Sequence, residues 1–143
     1  TNAAAQKWLQ VPDTTMNGLD VKATTPKILA DDFLCTATGP ITQVRIWGSW
    51  RFDLIPPLTL GPCFNLGIWT DIPTNINQGI PYSRPGQQLC NFAFPPGSYN
   101  GFVYTNGVQE QFFDPNIPAI IGFDTMIWEY VFDLTNFPPC WQT

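Results

Sequence analysis

The chain has 143 residues, of which 15 are proline and 11 glycine; aromatics make up 15 %, charged residues only 12 %, and there is no histidine. One domain fits that length, and the missing imidazole excludes histidine-based triads, histidine metal ligands and histidine pH switches. With 6 Lys+Arg against 11 Asp+Glu the formal net charge is -5, and the basic residues Lys7, Lys22, Lys27, Arg45, Arg51 and Arg84 are scattered, so the basic cluster that nucleic-acid binding requires is missing.

Proline and glycine punctuate the chain at the rhythm of short strands joined by turns, and helix propensity is poor throughout. Taken in order, a short strand is expected at 8–11, and a second at 19–23 after the turn Asn17-Gly18. A third covers 28–36 around Phe33-Leu34-Cys35, and 41–50 holds the longest clean alternation. Strands follow at 64–70, at 89–94 before Pro95-Pro96-Gly97, at 102–104 before Asn106-Gly107, and at 126–134. About eight strands without a helix predict an all-β antiparallel sandwich of jelly-roll type, one domain over residues 1–143. The segment 70–87, with Pro73, Gly79, Pro81, Pro85 and Gly86, reads as a long ordered loop. No apolar run approaches the ~20 residues of a membrane-spanning helix.

Alternation along the strands selects candidate faces. In 41–50, Val44, Ile46, Gly48 and Trp50 share one side, and Gln43, Arg45, Trp47 and Ser49 the other. In 64–71, Phe64, Leu66 and Ile68 oppose Asn65, Gly67, Trp69 and Asp71. Trp47 and Trp69 thus fall on polar faces, and if the two strands pair they form one surface with Arg45 and Asn65. Such outward indoles suit a sugar ring, another subunit or a covering loop. Strand 126–134 is apolar on both sides, as in a strand that is central and covered twice or lies at an intermolecular contact.

The cysteines Cys35, Cys63, Cys90 and Cys140 form no C-x-x-C pair, which argues against zinc and for two disulfides. Of three connectivities, Cys63–Cys90 with Cys35–Cys140 follows if strands 64–70 and 89–94 are neighbours. No cofactor is expected; calcium is the most plausible metal, as a structural ion with oxygens from Asp31-Asp32, Asp71 and Asp114-Pro115-Asn116. A glycosidase would draw its two acids from Glu110, Asp114, Asp124, Glu129 or Asp31-Asp32, but a lone acid such as Glu129 among apolar neighbours reads as a solubilising charge at a strand edge. No catalytic residue is assigned.

Several stretches carry a family resemblance: Lys7-Trp8-Leu9-Gln10-Val11-Pro12-Asp13, Asn17-Gly18-Leu19-Asp20-Val21, Ile28-Leu29-Ala30-Asp31-Asp32-Phe33-Leu34-Cys35, Gly39-Pro40-Ile41-Thr42, Ile46-Trp47-Gly48-Ser49-Trp50, Leu66-Gly67-Ile68-Trp69-Thr70-Asp71-Ile72-Pro73, Tyr82-Ser83-Arg84-Pro85-Gly86, Phe113-Asp114-Pro115, and Asp124-Thr125 through Tyr130. Together they resemble an uncharacterised β-rich domain of secreted and cell-surface proteins from environmental bacteria, notably planctomycete- and verrucomicrobia-like lineages. The resemblance spans nearly the whole chain and implies an extracellular or cell-surface β-sandwich with no assigned catalytic residues. Members continue past the position of Trp141 into a further strand, so an open edge is expected here.

Two functions follow as expectations. The first is a non-catalytic structural subunit that joins copies of itself into a fibre, sheath or surface layer through β-strand contacts. Residues 1–11 would be the exchanging arm, with Ala3, Ala4, Ala5, Trp8 and Leu9 entering a neighbour. The alternative is a carbohydrate-binding module that places Trp47 and Trp69 against a polysaccharide.

Overall fold

The computed structural model describes residues 6–57 and 61–142. It contains eight strands: β1 (Leu19–Val21), β2 (Gly39–Pro40), β3 (Gln43–Gly48), β4 (Phe64–Ile72), β5 (Arg84–Phe94), β6 (Asn100–Asp114), β7 (Ala119–Asp133) and β8 (Trp141–Gln142). A four-stranded sheet runs β1-β6-β7-β3, β4 pairs with β5, and β2 pairs with β8. All ladders are antiparallel except β1 on β6, which is parallel. The protein is therefore all-β and sandwich-like, with single 3-10 turns at Arg51–Asp53 and Ile76–Gln78.

The two main sheets meet through aromatic side chains. Val44 and Ile46 of β3 and Trp128, Tyr130 and Phe132 of β7 point inward from the four-stranded sheet. Phe64, Leu66 and Ile68 of β4 and Cys90, Phe92 and Phe94 of β5 meet them from the other side. Phe132 is fully buried at the centre, with the Phe64 and Phe94 rings 5.2 and 4.9 Å away. The alternation read in 41–50 and 64–70 thus supplies the two inner faces.

Strand 126–134 is central, flanked by β6 and β3. Its residues 126–133 belong to the fifteen-residue β7, and 102–104 to the fifteen-residue β6; bulges in their pairing carry the β6–β7 hairpin past Asn106-Gly107, which lies inside β6 instead of closing a turn. The stretches 8–11 and 28–36 form no strand. Ile28, Leu29 and Leu34 stay exposed: an apolar run without alternation presents no single face for a sheet to bury. The expected loop 70–87 is shorter: β4 extends to Ile72 and β5 begins at Arg84. Pro85 is tolerated because a two-stranded sheet leaves each strand an outer edge that needs no N–H.

The disulfide expectation is corrected. Cys90 is bonded to Cys140, and Cys35 and Cys63 are free and exposed. Strands β4 and β5 are neighbours as supposed, but the register sets Phe64 opposite Phe94 and Ile68 opposite Cys90. Cys63 therefore lies at the wrong end of the hairpin for Cys90. Cys140 instead enters the core beside Ile41, whose N–H donates to the Cys140 carbonyl at 2.9 Å.

Candidate functional site

The polar chemistry concentrates at the far end of the four-stranded sheet. There the register places Glu110 of β6 directly opposite Asp124 of β7, while Asp20 comes from β1, the parallel neighbour of β6. Each of the three offers an oxygen within 4.8 Å of the others. Asp124 is 0 % and Glu110 3 % exposed. Like charges directly opposite one another in a ladder are destabilising, and here a third is added.

The loop before β1 is folded by its own sequence. The Asp13 carboxylate accepts from the Thr15 N–H at 2.9 Å and the Thr15 hydroxyl at 2.7 Å, which holds its carboxyl below the usual range. The Gly18 N–H then donates to the Thr15 carbonyl at 2.9 Å. This turn brings Gly18 so close to β6 that an added Cβ would stand 2.5 Å from Glu110 Oε1 and 2.6 Å from the Asp13 carbonyl oxygen. Only glycine fits there.

On the opposite flank the 3-10 turn after β3 replaces the ladder that β3 has ended. Asp53 Oδ1 accepts from the N–H groups of Thr125 and Met126, each at 3.0 Å, and Oδ2 accepts from the Thr125 hydroxyl at 2.7 Å. Burial opposes ionisation of Asp53, but these donors outweigh it and lower its pKa. The turn needs positive φ at Phe52 and Asp53, 58° and 54°, a strained conformation for residues other than glycine. Asp53 fixes the backbone on which Asp124 sits.

The acids respond to one another. Burial first, then Asp20, pushes Glu110 up to about 7. The same causes push Asp124 up to about 8, with the nearby Ser49 hydroxyl opposing. Both Asp124 oxygens, Glu110 Oε1, Asp20 Oδ2 and Ser49 Oγ are buried without a hydrogen-bond partner. A glycoside-cleaving pair needs carboxyl groups about 5 Å apart or more across a cleft open to a polymer; these groups are closer and covered.

The other acids read from the sequence lie apart. Asp31 and Asp32 are exposed, with Asp32 accepting from the Ser83 hydroxyl at 2.7 Å, and Asp71 is exposed on β4. Asp114 binds Lys22 at 3.2 Å, Lys27, and the Asn116 N–H at 3.0 Å, so it has no oxygen left over for an ion. Among the described residues, Asp31, Asp32, Asp71 and Asp114 do not gather into one group of ligand oxygens. Glu129 is no edge charge: it is buried on central strand β7 and accepts from Arg45 Nη1 at 3.0 Å. Asp20 and Ser49 were missed as members of the site, and Glu110 and Asp124 appeared only as separate acids. The signal available was a lone acid between two apolar residues of one strand, as in Leu19-Asp20-Val21.

Trp47 and Trp69 do not form one surface, because β3 pairs with β7 and β4 with β5. Trp47 lies opposite Glu129, which lies opposite Phe102, so the three share the face turned away from the core. The Tyr104 ring meets Trp47 edge-on at 5.9 Å. Phe102 and Tyr104 remain 45 % and 39 % exposed, and Arg45 borders them through Glu129. Trp69, 43 % exposed, lies on the outer side of the β4–β5 sheet. There its Nε1 would stand 2.6 Å from a Cβ on Gly67, with the Gln88 amide beside it. Asn65 is on β4 of that same sheet, paired with Ala93. Of the expected arm, Ala3, Ala4 and Ala5 lie outside the described residues; Trp8 and Leu9 are exposed and belong to no strand.

A family profile described as a domain of unknown function, DUF7901, matches residues 6–143. The chain belongs to this family. No curated protein and no solved structure matches it. The acid cluster, the aromatic faces and the Cys90–Cys140 bond all fall within the DUF7901 match. Among the described residues no helix is long and apolar enough to cross a membrane.

Proposed function

We propose that this DUF7901 domain is a non-catalytic structural module of an extracellular or cell-surface assembly, and that it joins copies of itself through the outer face of its four-stranded sheet. The observation that carries this reading is the aromatic surface of Trp47, Phe102 and Tyr104, turned away from the core with Phe102 and Tyr104 open to solvent. On the outer side of central strand β7, Ile127 and Glu129 are already buried within the chain, so a second copy would cover the exposed Phe102 and Tyr104 rings beside them. The neighbouring edge strand β3 has Arg45 as its one charge, and that charge is paired with Glu129 of β7. The disulfide favours an oxidising compartment, and the secreted planctomycete-like resemblance points the same way. The exposed segment with Trp8 and Leu9 is a further contact element. The test is light scattering on the parent chain and on Phe102→Lys. Association in the parent and a folded monomer in the variant support the proposal. A parent that stays monomeric at every concentration, or a variant that associates unchanged, overturns it.

The alternative is polysaccharide binding, favoured by the Trp69 indole lying over Gly67 beside the Gln88 amide. An indole with a neighbouring polar group suits the apolar face and hydroxyls of a sugar ring. Retention on insoluble polysaccharide that is lost in Trp69→Ala, with association unaffected, would establish this reading in place of the first.

A further inference from the structure

Three carboxylates brought together from separate strands need compensation. The described ion pairs leave them without any: Lys22 and Lys27 bind Asp114, and Arg45 binds Glu129. Lys7 donates to the Ala37 carbonyl and Arg51 lies over the Phe52 ring. Arg84 sits at the start of β5, in the other sheet. Neither Asp124 oxygen nor Glu110 Oε1 accepts from a backbone N–H, a lysine or an arginine. Buried polar atoms without a donor are rare, and each needs a proton, an ordered water or an ion to satisfy it.

Two neutral oxygens add to the acids. The buried Ser49 hydroxyl faces Asp124 and favours its ionised form. The Asp13 carbonyl oxygen and Glu110 Oε1 both lie within 2.6 Å of the point that a Cβ on Gly18 would fill. The donors are all oxygen, with neither imidazole nor thiolate among them, which is the set preferred by hard cations.

We propose that Asp20, Glu110 and Asp124, completed by the Asp13 carbonyl and the Ser49 hydroxyl, form a calcium site that fastens the 13–20 segment to the β6–β7 hairpin. Three carboxylates, a carbonyl and a hydroxyl approach the six to eight oxygens that Ca²⁺ takes, especially where a carboxylate binds through both atoms. Magnesium favours a tight octahedron that retains several waters and uses one or two carboxylates; this covered trio suits it poorly. Bound, the ion turns the mutual repulsion of three acids into cohesion among β1, β6 and β7. The carboxylates must be ionised to bind, so affinity falls with falling pH. The site is separate from the aromatic face and stands or falls independently of self-association.

The experiment is calorimetric titration of EDTA-treated full chain with calcium chloride, paired with thermal melts in calcium, magnesium and EDTA. The expected result is one ion per chain and a melting temperature raised by about 5–10 °C at a hundredfold excess over Kd. Asp124→Asn and Glu110→Gln should each remove that shift while melting in EDTA no lower than the parent, since the repulsion is reduced. Gly18→Ala should weaken calcium binding at least tenfold by crowding Glu110 and the Asp13 carbonyl. No heat and no shift in the folded parent, an equal response to magnesium, or an undiminished shift in both acid variants would overturn the assignment. If one variant does not fold, the other and the parent titration still decide.

Discussion

The bond between Cys90 and Cys140 closes a sequence separation of 50 residues, and its removal yields a measurable quantity. In the chain-entropy model a loop of that length lowers the unfolded state's entropy enough to stabilise the fold by about 4 kcal/mol. The double substitution Cys90→Ala with Cys140→Ala should therefore lower stability by about 4 kcal/mol, or the melting temperature by about 8–16 °C for a chain of this size. The bond also holds the strand that follows it: β8 pairs with the two-residue β2 through Gly39 and Pro40 alone, so its release should loosen the Ile41 end of the core first. Urea denaturation with matched m-values is the assay. Each single substitution breaks the same bond, so each should cost nearly what the double variant costs. A double variant within about 1 kcal/mol of the parent would refute the chain-entropy reasoning, as would single effects that sum to the double. Alkylation of the unreduced protein should label Cys35 and Cys63 alone.

Asp53→Ala should cost about 2–4 kcal/mol by leaving the Thr125 and Met126 N–H groups without their acceptor, read as a shift in the urea midpoint, with Asp53→Asn retaining part of the loss. Asp114 is held at about 2 by Lys27 first, then by the Asn116 N–H and Lys22, against an ordinary 3.8. Because the folded value is the lower one, its contribution is full above about pH 4 and is lost as pH falls towards 2; Lys27→Met should flatten that acid limb in denaturation followed by circular dichroism. Arg45→Ala strands the buried Glu129 and should cost about 3 kcal/mol, the low end for a buried pair because the Arg45 side chain is half exposed, most of which Glu129→Gln restores in the same background when urea midpoints are compared.

The core was legible because it is written as alternation. Val44 and Ile46, and Phe64, Leu66 and Ile68, fall on the inner faces that period-two reading assigns them. The segment 28–36 misled because apolar content without alternation does not specify a strand, and Ile28 and Leu34 end exposed. Strand β5 was half hidden by Pro85 and Gly86, residues that mark loops except on an edge. The disulfide was beyond reach for a register reason: adjacency of β4 and β5 is a property of topology, but whether Cys63 meets Cys90 depends on which residues face each other. The acid trio shares that difficulty. Glu110 and Asp124 meet across a ladder with bulges on either side of Glu110, and Asp20 arrives on a parallel strand of three residues. No local spacing announces such a cluster.

Self-association through the Trp47, Phe102 and Tyr104 face is tested most directly by sedimentation velocity on the full chain over a wide range of concentration. A species heavier than the 16.0 kDa chain that grows with concentration is the predicted result. A single boundary at the monomer mass throughout would contradict it.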